Sequence, residues 1–237
     1  MPSDSQIIVA LDMQRTEALA LAARLQGRVR WVKVGMTLFY AEGPSIVSAL
    51  QSLGFDVFLD LKLHDIPHQV AGAAAEIARL GVGMFTVHAS GGAAMMAAAV
   101  ESSRRAATES GHVTPSVLAV TVLTSTDDEG LSRIGIDATA ADQVARLAML
   151  ARDAGTDGLV CSPAEATRVR GIAGDDALIV TPGVRPAGTA AGDQARFATP
   201  RAALEAGATH LVIGRPITAA ADPIVALDEI LAEIEGM

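Results

Sequence analysis

The sequence predicts an α/β protein built as one (β/α)8 TIM barrel, with eight parallel strands inside a ring of helices. Eight short apolar, β-branched runs alternate with longer segments of helical spacing along the 237 residues. Most of these runs are almost continuously apolar, as parallel strands covered on both faces must be. Polar residues gather at the C-terminal ends of many different runs, where a barrel builds its site. No Gly-x-Gly-x-x-Gly follows the first run, which argues against an open doubly wound sheet.

The expected strands are Ile7–Asp12, Trp31–Gly35, Val57–Leu63, Met84–Ala89, Val117–Thr124, Gly158–Ser162, Leu178–Pro182 and His210–Gly214. Between the third and fourth, Ile66, Val70, Ala73, Ile77 and Leu80 form an apolar stripe at helical spacing. After the sixth, Ser162-Pro163-Ala164-Glu165 resembles a nucleophile beside Cys161 but is better explained as a capping box that opens a helix. The last helix starts with Asp222 as N-cap and Pro223 at its first position, and its stripe is Ile224, Leu227, Leu231 and Ile234. Gly54, Gly81, Gly155 and Gly207 mark helix ends, each just before the next strand. Leu80 to Val100 carries no charge over a length that would span a membrane, but Gly91-Gly92 breaks it. A buried strand followed by an Ala-rich helix explains it better. No linker divides the chain, so residues 1–237 are expected to form a single domain.

Half the residues are hydrophobic and 19% are charged, a balance that fills a core and excludes disorder. The net charge of −9 and a pI near 5.0 disfavour nucleic-acid binding through a general basic face. Local Arg and Lys clusters still allow an anionic small molecule. The start of the chain has no basic segment ahead of its first strand, and the expected setting is soluble and cytoplasmic, with no membrane partner. Cys161 is the only cysteine, so an intramolecular disulfide is impossible and paired-cysteine metal sites are excluded. It has no nearby base and reads as an inert thiol.

The chemistry sits at the strand ends. The first run ends in Asp12, and the second carries Lys33. The third reads Asp60-Leu61-Lys62-Leu63-His64-Asp65-Ile66-Pro67. Alternation points Asp60 and Lys62 the same way and sends Leu59, Leu61 and Leu63 toward the helices. A lone charge in a barrel mouth is costly, by several kcal/mol or so. Asp12, Lys33, Asp60 and Lys62 therefore read as an alternating array that keeps each member ionised. The bland alternative for Asp60 and Lys62 is a structural ion pair, and for Asp65 a helix cap. His64 and His68 have a metal-like spacing but no carboxylate fixed relative to both, so they read as solvated side chains and no metal site is expected. His88 reads as a packed histidine.

The seventh and eighth strands run into Gly183-Val184-Arg185-Pro186 and Gly214-Arg215-Pro216. Glycine lets backbone N–H groups approach an anion, and Arg adds a fork of donors. These are the two loops where barrels usually hold phosphate. The stretch from Ala187 to Ala195, which contains Gln194, is small and polar and reads as a lid over that phosphate.

Taken together, Asp60-x-Lys62-x-x-Asp65-Ile66-Pro67, Val32-Lys33-Val34-Gly35, Gly183-Val184-Arg185-Pro186 and Gly214-Arg215-Pro216 resemble the orotidine 5′-phosphate decarboxylase family. Val-Thr-Val-Leu-Thr124-Ser125 and His88-Ala-Ser-Gly-Gly make the match more specific. The resemblance implies cofactor-free decarboxylation of orotidine 5′-phosphate to uridine 5′-phosphate, the last step of de novo pyrimidine biosynthesis. It makes Lys62 the proton donor to C6 and sets Asp60 against the departing carboxylate. Asp12 and Lys33 would contact the ribose, and Thr124 the pyrimidine. Arg185, Gln194, Gly214 and Arg215 would hold the phosphate. Asp65 would come from the partner subunit of a homodimer. The family usually has Thr where this chain has Gln69, which keeps a donor and an acceptor on a longer arm. The rival readings are a Mg²⁺-dependent sugar-phosphate decarboxylase or aldolase sharing the Asp-x-Lys-x-x-Asp strand, and a non-catalytic phosphate-ligand sensor.

Overall fold

A computed structural model of the chain describes residues 3–186 and 198–236. The eight strands are β1 (Ile7–Ala10), β2 (Trp31–Gly35), β3 (Asp56–Leu63), β4 (Met84–His88), β5 (Ser116–Val120), β6 (Gly158–Val160), β7 (Leu178–Pro182) and β8 (His210–Ile213). They close in sequence order into a barrel, and β8 returns to pair with β1 in parallel register at Ile7↔Leu211, Ile8↔Val212 and Val9↔Ile213. Around it run α1 (Ser3–Gln6), α2 (Arg15–Leu25), α3 (Met36–Glu42), α4 (Ser45–Ser52), α5 (Pro67–Arg79), α6 (Ala93–Ser110), α7 (Asp128–Arg133), α8 (Ala140–Asp153), α9 (Ala166–Ala173), α10 (Pro200–Glu205), α11 (Arg215–Thr218) and α12 (Pro223–Glu235).

The period of two along each strand splits the apolar residues into two cores. Ile8, Ala10, Trp31, Phe58, Met84, Leu118, Val180 and Val212 point inward and fill the barrel. Ile7, Val9, Val32, Val34, Val57 and Leu59 point outward and pack with the helices. Trp31 is the bulkiest interior side chain. Its indole lies edge-on to the buried His210 ring, and a Cβ at Gly83 would come within 2.5 Å of it. Glycine at position 83 is therefore a packing requirement.

Several sequence expectations appear directly. Glu165 accepts the Ser162 N–H at 2.9 Å, completing the capping box, and Asp222 accepts from Ile224 N–H at the start of α12. Gly54, Gly81, Gly155 and Gly207 all have positive φ, the left-handed conformation that stops a helix. The uncharged run from Leu80 divides into β4 and α6, and no described helix is long and apolar enough to cross a membrane.

Two expectations need correcting. On α5 the buried face is Val70, Ala74, Ile77 and Ala78, not a stripe starting at Ile66, which precedes the helix and is exposed. The predicted stripe shares Val70 and Ile77 with it. β1, β5 and β6 also end earlier than expected, at Ala10, Val120 and Val160. One more ladder-like bond follows each, from Leu11 N–H to Lys33 O, from Thr121 N–H to Val160 O and from Cys161 N–H to Val180 O. The chain then leaves the sheet, so Asp12 and Thr124 stand on loops above the barrel.

Candidate active site

A cavity of about 360 Å³ opens at the C-terminal ends of the strands, within the roughly 300–1,000 Å³ usual for small-molecule sites. Ala10, Phe58, Val120, Val160 and Val212 line its apolar depth. Asp12, Lys33, Asp60, Lys62, Thr124, Arg185, Gly214 and Arg215 also line it. Eight residues singled out in the sequence thus converge on one space.

The four charges alternate in a connected line. Lys33 Nζ lies 3.0 Å from Asp12 Oδ1 and 3.5 Å from Asp60 Oδ2. Lys62 Nζ donates to both Asp60 oxygens at 2.8 Å. Burial by itself would raise the Asp60 pKa. The ammonium groups of Lys33 and Lys62, with hydrogen bonds from Lys62 and Thr86, outweigh it and hold that carboxyl below the usual carboxylate range. Asp60 is therefore a carboxylate across the physiological range, and it keeps two cations in place.

Gly35 is what allows this line to lie flat on the strand ends. A Cβ there would meet Asp12 Oδ1 at 2.6 Å and Lys33 Nζ at 3.0 Å. Its backbone is ordinary extended chain, with φ −90° and ψ 179°, so space and not conformation demands glycine.

Strand β3 does not keep the simple alternation expected of it. Its pairing with β4 runs Leu59↔Phe85 and then Leu63↔Val87. Four steps on β3 match two on β4, so the stretch from Asp60 to Lys62 bulges away from the ladder. Lys62 has φ +53°, the only positive φ at a non-glycine residue among the described residues. The bulge re-aims the Lys62 side chain over Asp60. Leu61 and Leu63 still pack toward the helices.

Further round the mouth, β7 leads into Gly183 and Arg185, and β8, the neighbour of β1, into Gly214 and Arg215, the first residue of α11. Arg185 N–H donates to Ala198 O at 3.0 Å. Among the described residues other than its chain neighbours, a Cβ at Gly214 would meet nothing closer than Ala10 Cβ at 3.6 Å, so glycine there leaves space on the cavity side. Gln194 and the expected lid lie outside the described residues.

The remaining polar residues fall elsewhere. His64 and His68 are both exposed, and the ring facing His64 is that of His88, at 5.4 Å between centroids. Burial, then His64 and Lys62, push the His88 pKa down against the pull of Asp60, which leaves it neutral near pH 7. Cys161 lines the cavity but is buried, and burial, followed by the Glu165 carboxylate, pushes its thiol up to about 12. Among the described residues, no group of three His, Cys, Asp or Glu side chains is placed to hold a metal ion.

A family model described as "Orotidine 5′-phosphate decarboxylase / HUMPS family" matches residues 5–230. The chain belongs to that family. Relatives called orotidine 5′-phosphate decarboxylase include one from Alkalilimnicola ehrlichii, 53% identical over 98% of this chain and 97% of that protein. Another, from Nitrosococcus oceani, is 51% identical over 98% of this chain and 99% of its own length. The crystal structure of orotidine 5′-phosphate decarboxylase from Lactobacillus acidophilus superposes with a TM-score of 0.85 at 40% identity, covering 97% of this chain and 99% of that one.

Two residues marked by the decarboxylase resemblance stay outside the cavity of the single chain. Asp65 is exposed, and its Oδ1 accepts the Ile66 N–H at 2.6 Å, just ahead of α5. Gln69, in the first turn of that helix, is exposed as well. Sequence reasoning missed Thr86 and the reason for Gly35. Thr86 was legible as a lone inward-facing hydroxyl in the run Met-Phe-Thr-Val-His, one strand away from Asp60.

Proposed function

We propose that this chain decarboxylates orotidine 5′-phosphate to uridine 5′-phosphate, the last step of de novo pyrimidine biosynthesis, as a cytoplasmic homodimer. The observation that carries the proposal is the Asp12–Lys33–Asp60–Lys62 line in one cavity with two Gly-Arg strand ends. The names of the relatives support the same reaction.

The phosphate sits between Arg185 and the Gly214–Arg215 turn, with Gln194 joining them. Asp12 and Lys33 take the ribose hydroxyls, and Thr124 takes the pyrimidine. This leaves C6 near Lys62 and its carboxylate against Asp60. The C6–carboxyl bond breaks, CO₂ leaves, and the electron pair stays in an sp² orbital at C6 with no carbonyl to delocalise it. The fixed Lys62 ammonium stabilises that charge as it develops and then gives C6 a proton. The resulting amine regains a proton from solvent. No cofactor is needed in this sequence of steps. Binding energy at the remote phosphate goes into holding the reacting end in place. Asp65 reaches the site of the second subunit, and Gln69, on the next turn from it, takes part there. Their exposure in the single chain supports this role.

The test follows the ultraviolet absorbance of orotidine 5′-phosphate with purified protein in excess EDTA, beside Lys62→Ala. Rapid loss with the wild type and almost none with the variant is expected. No loss with the wild type overturns the proposal, and turnover of a sugar phosphate that requires Mg²⁺ would replace it with the metal-dependent reaction.

A further inference from the structure

Thr86 sits in the middle of β4 and is fully buried. It stands opposite the β3 bulge, where the backbone ladder between the two strands is interrupted. Its Oγ1 accepts the Lys62 N–H at 2.9 Å and donates to Asp60 Oδ1 at 3.0 Å. One hydroxyl thus fills both of its hydrogen-bonding roles with the two residues that face each other as an ion pair.

Each bond addresses a specific problem. The Lys62 N–H has turned away from the ladder because residue 62 is left-handed, a conformation that costs a non-glycine residue of order 1 kcal/mol or more. A buried N–H without a partner would add a further penalty. The Thr86 hydroxyl accepts that N–H and so stabilises the unusual backbone at the residue whose side chain carries the ammonium. Its own proton goes to Asp60 Oδ1, which already accepts from Lys62 Nζ, so the carboxylate cannot rotate without losing both bonds.

We infer that Thr86 is a positioning residue, whose hydroxyl locks the left-handed Lys62 backbone and the Asp60 carboxylate into the one arrangement that aims the ammonium. This rests on the decarboxylase reading above. It assigns Thr86 no contact with substrate, since the residue lies beneath the ion pair. Its role belongs to the chemical step and not to substrate binding.

Steady-state decarboxylation by wild type, Thr86→Val, Thr86→Ala and Thr86→Ser tests it, with binding of uridine 5′-phosphate measured by calorimetry on each. Thr86→Val keeps the shape and removes the hydroxyl. Its kcat is expected to fall about 10- to 100-fold, equivalent to about 1.4–2.7 kcal/mol at 1.36 kcal/mol per decade, while KM and product affinity stay within about threefold, the split expected when a contribution specific to the transition state is lost. Thr86→Ser restores most of kcat. If Thr86→Val does not fold, Thr86→Ala is held to the same split. A Val or Ala variant with wild-type kcat overturns the inference. So does a Ser variant as slow as Val, or a loss that appears equally in KM. An inactive wild type would overturn the reaction itself, which separates the two failures.

Discussion

Replacing Gly35 by Ala isolates the charged line from the rest of the fold. The added Cβ would stand 2.6 Å from Asp12 Oδ1 and 3.0 Å from Lys33 Nζ. Both are tighter than carbon packs against oxygen or nitrogen, so one group must move by several tenths of an ångström. Lys33 is buried and held by Asp60, whereas the Asp12 side chain is 58% exposed. Asp12 therefore swings away, and the Asp12–Lys33 bond is lost. The stability cost is small, because a half-exposed pair contributes about 1 kcal/mol or less and Ala accepts the extended backbone at residue 35. For a chain of this size that is a fall in Tm of roughly 2–4 °C. The catalytic cost is larger. A displacement approaching 1 Å in a positioning group can remove about 100-fold from the rate, or about 2.7 kcal/mol. The assay is kcat/KM for orotidine 5′-phosphate in a cycle of wild type, Gly35→Ala, Asp12→Ala and the double variant. If the methyl acts by displacing Asp12, it costs much less once Asp12 is gone. Full activity in Gly35→Ala, or the same loss in both backgrounds, would refute the reasoning.

Two further predictions concern buried titratable groups. His210, closed in at the base of the barrel, has its pKa pushed down to about 4 by burial and then by Arg30, from an ordinary 6.5. As pH falls from about 6.5 to 4 the unfolded chain takes a proton that the folded chain refuses, so folding stability drops by about 3 kcal/mol and then levels off. Urea unfolding from pH 7.5 to pH 4 should show that extra loss in the wild type relative to His210→Gln, and parallel curves would contradict it. Cys161, pushed up to about 12, should react with iodoacetamide at pH 8 roughly 1,000-fold more slowly in the folded protein than in urea, following its thiolate fraction. Labelling at equal rates in both states would disprove its burial.

Most of the barrel was legible because strand and helix leave different periods in the sequence. β1 to β8 fall where continuous apolar runs lie, and the glycine stops fall where left-handed residues end helices. Six of the eight cavity side chains or turns follow from their places on strands or on the loops after β7 and β8. Less legible was anything that depends on a neighbouring strand. The Lys62 bulge arises from pairing with β4, and no pattern within Asp60-Leu61-Lys62 announces two unmatched residues. The need for glycine at position 35 comes from Asp12, more than twenty residues away. The α5 stripe holds at Val70 and Ile77 but misses Ala74 and Ala78, poor markers of burial that complete the packed face, while the larger Ile66 points to solvent.

The closing ladder between β1 and β8 bears on how the protein is made. Its partners, such as Ile7 and Leu211, are about 200 positions apart, so the barrel cannot close until almost the whole chain has left the ribosome. Until then β1 has one unpaired edge, an exposed template for pairing with other chains. The charged line belongs to β2, β3 and the loop that follows β1, and can form early in synthesis. The Gly-Arg turns follow β7 and β8 and arrive last. A nascent chain therefore holds the charged line of its cavity well before it holds the Gly-Arg turns. Nucleotide binding can be used during synthesis to report the moment of closure.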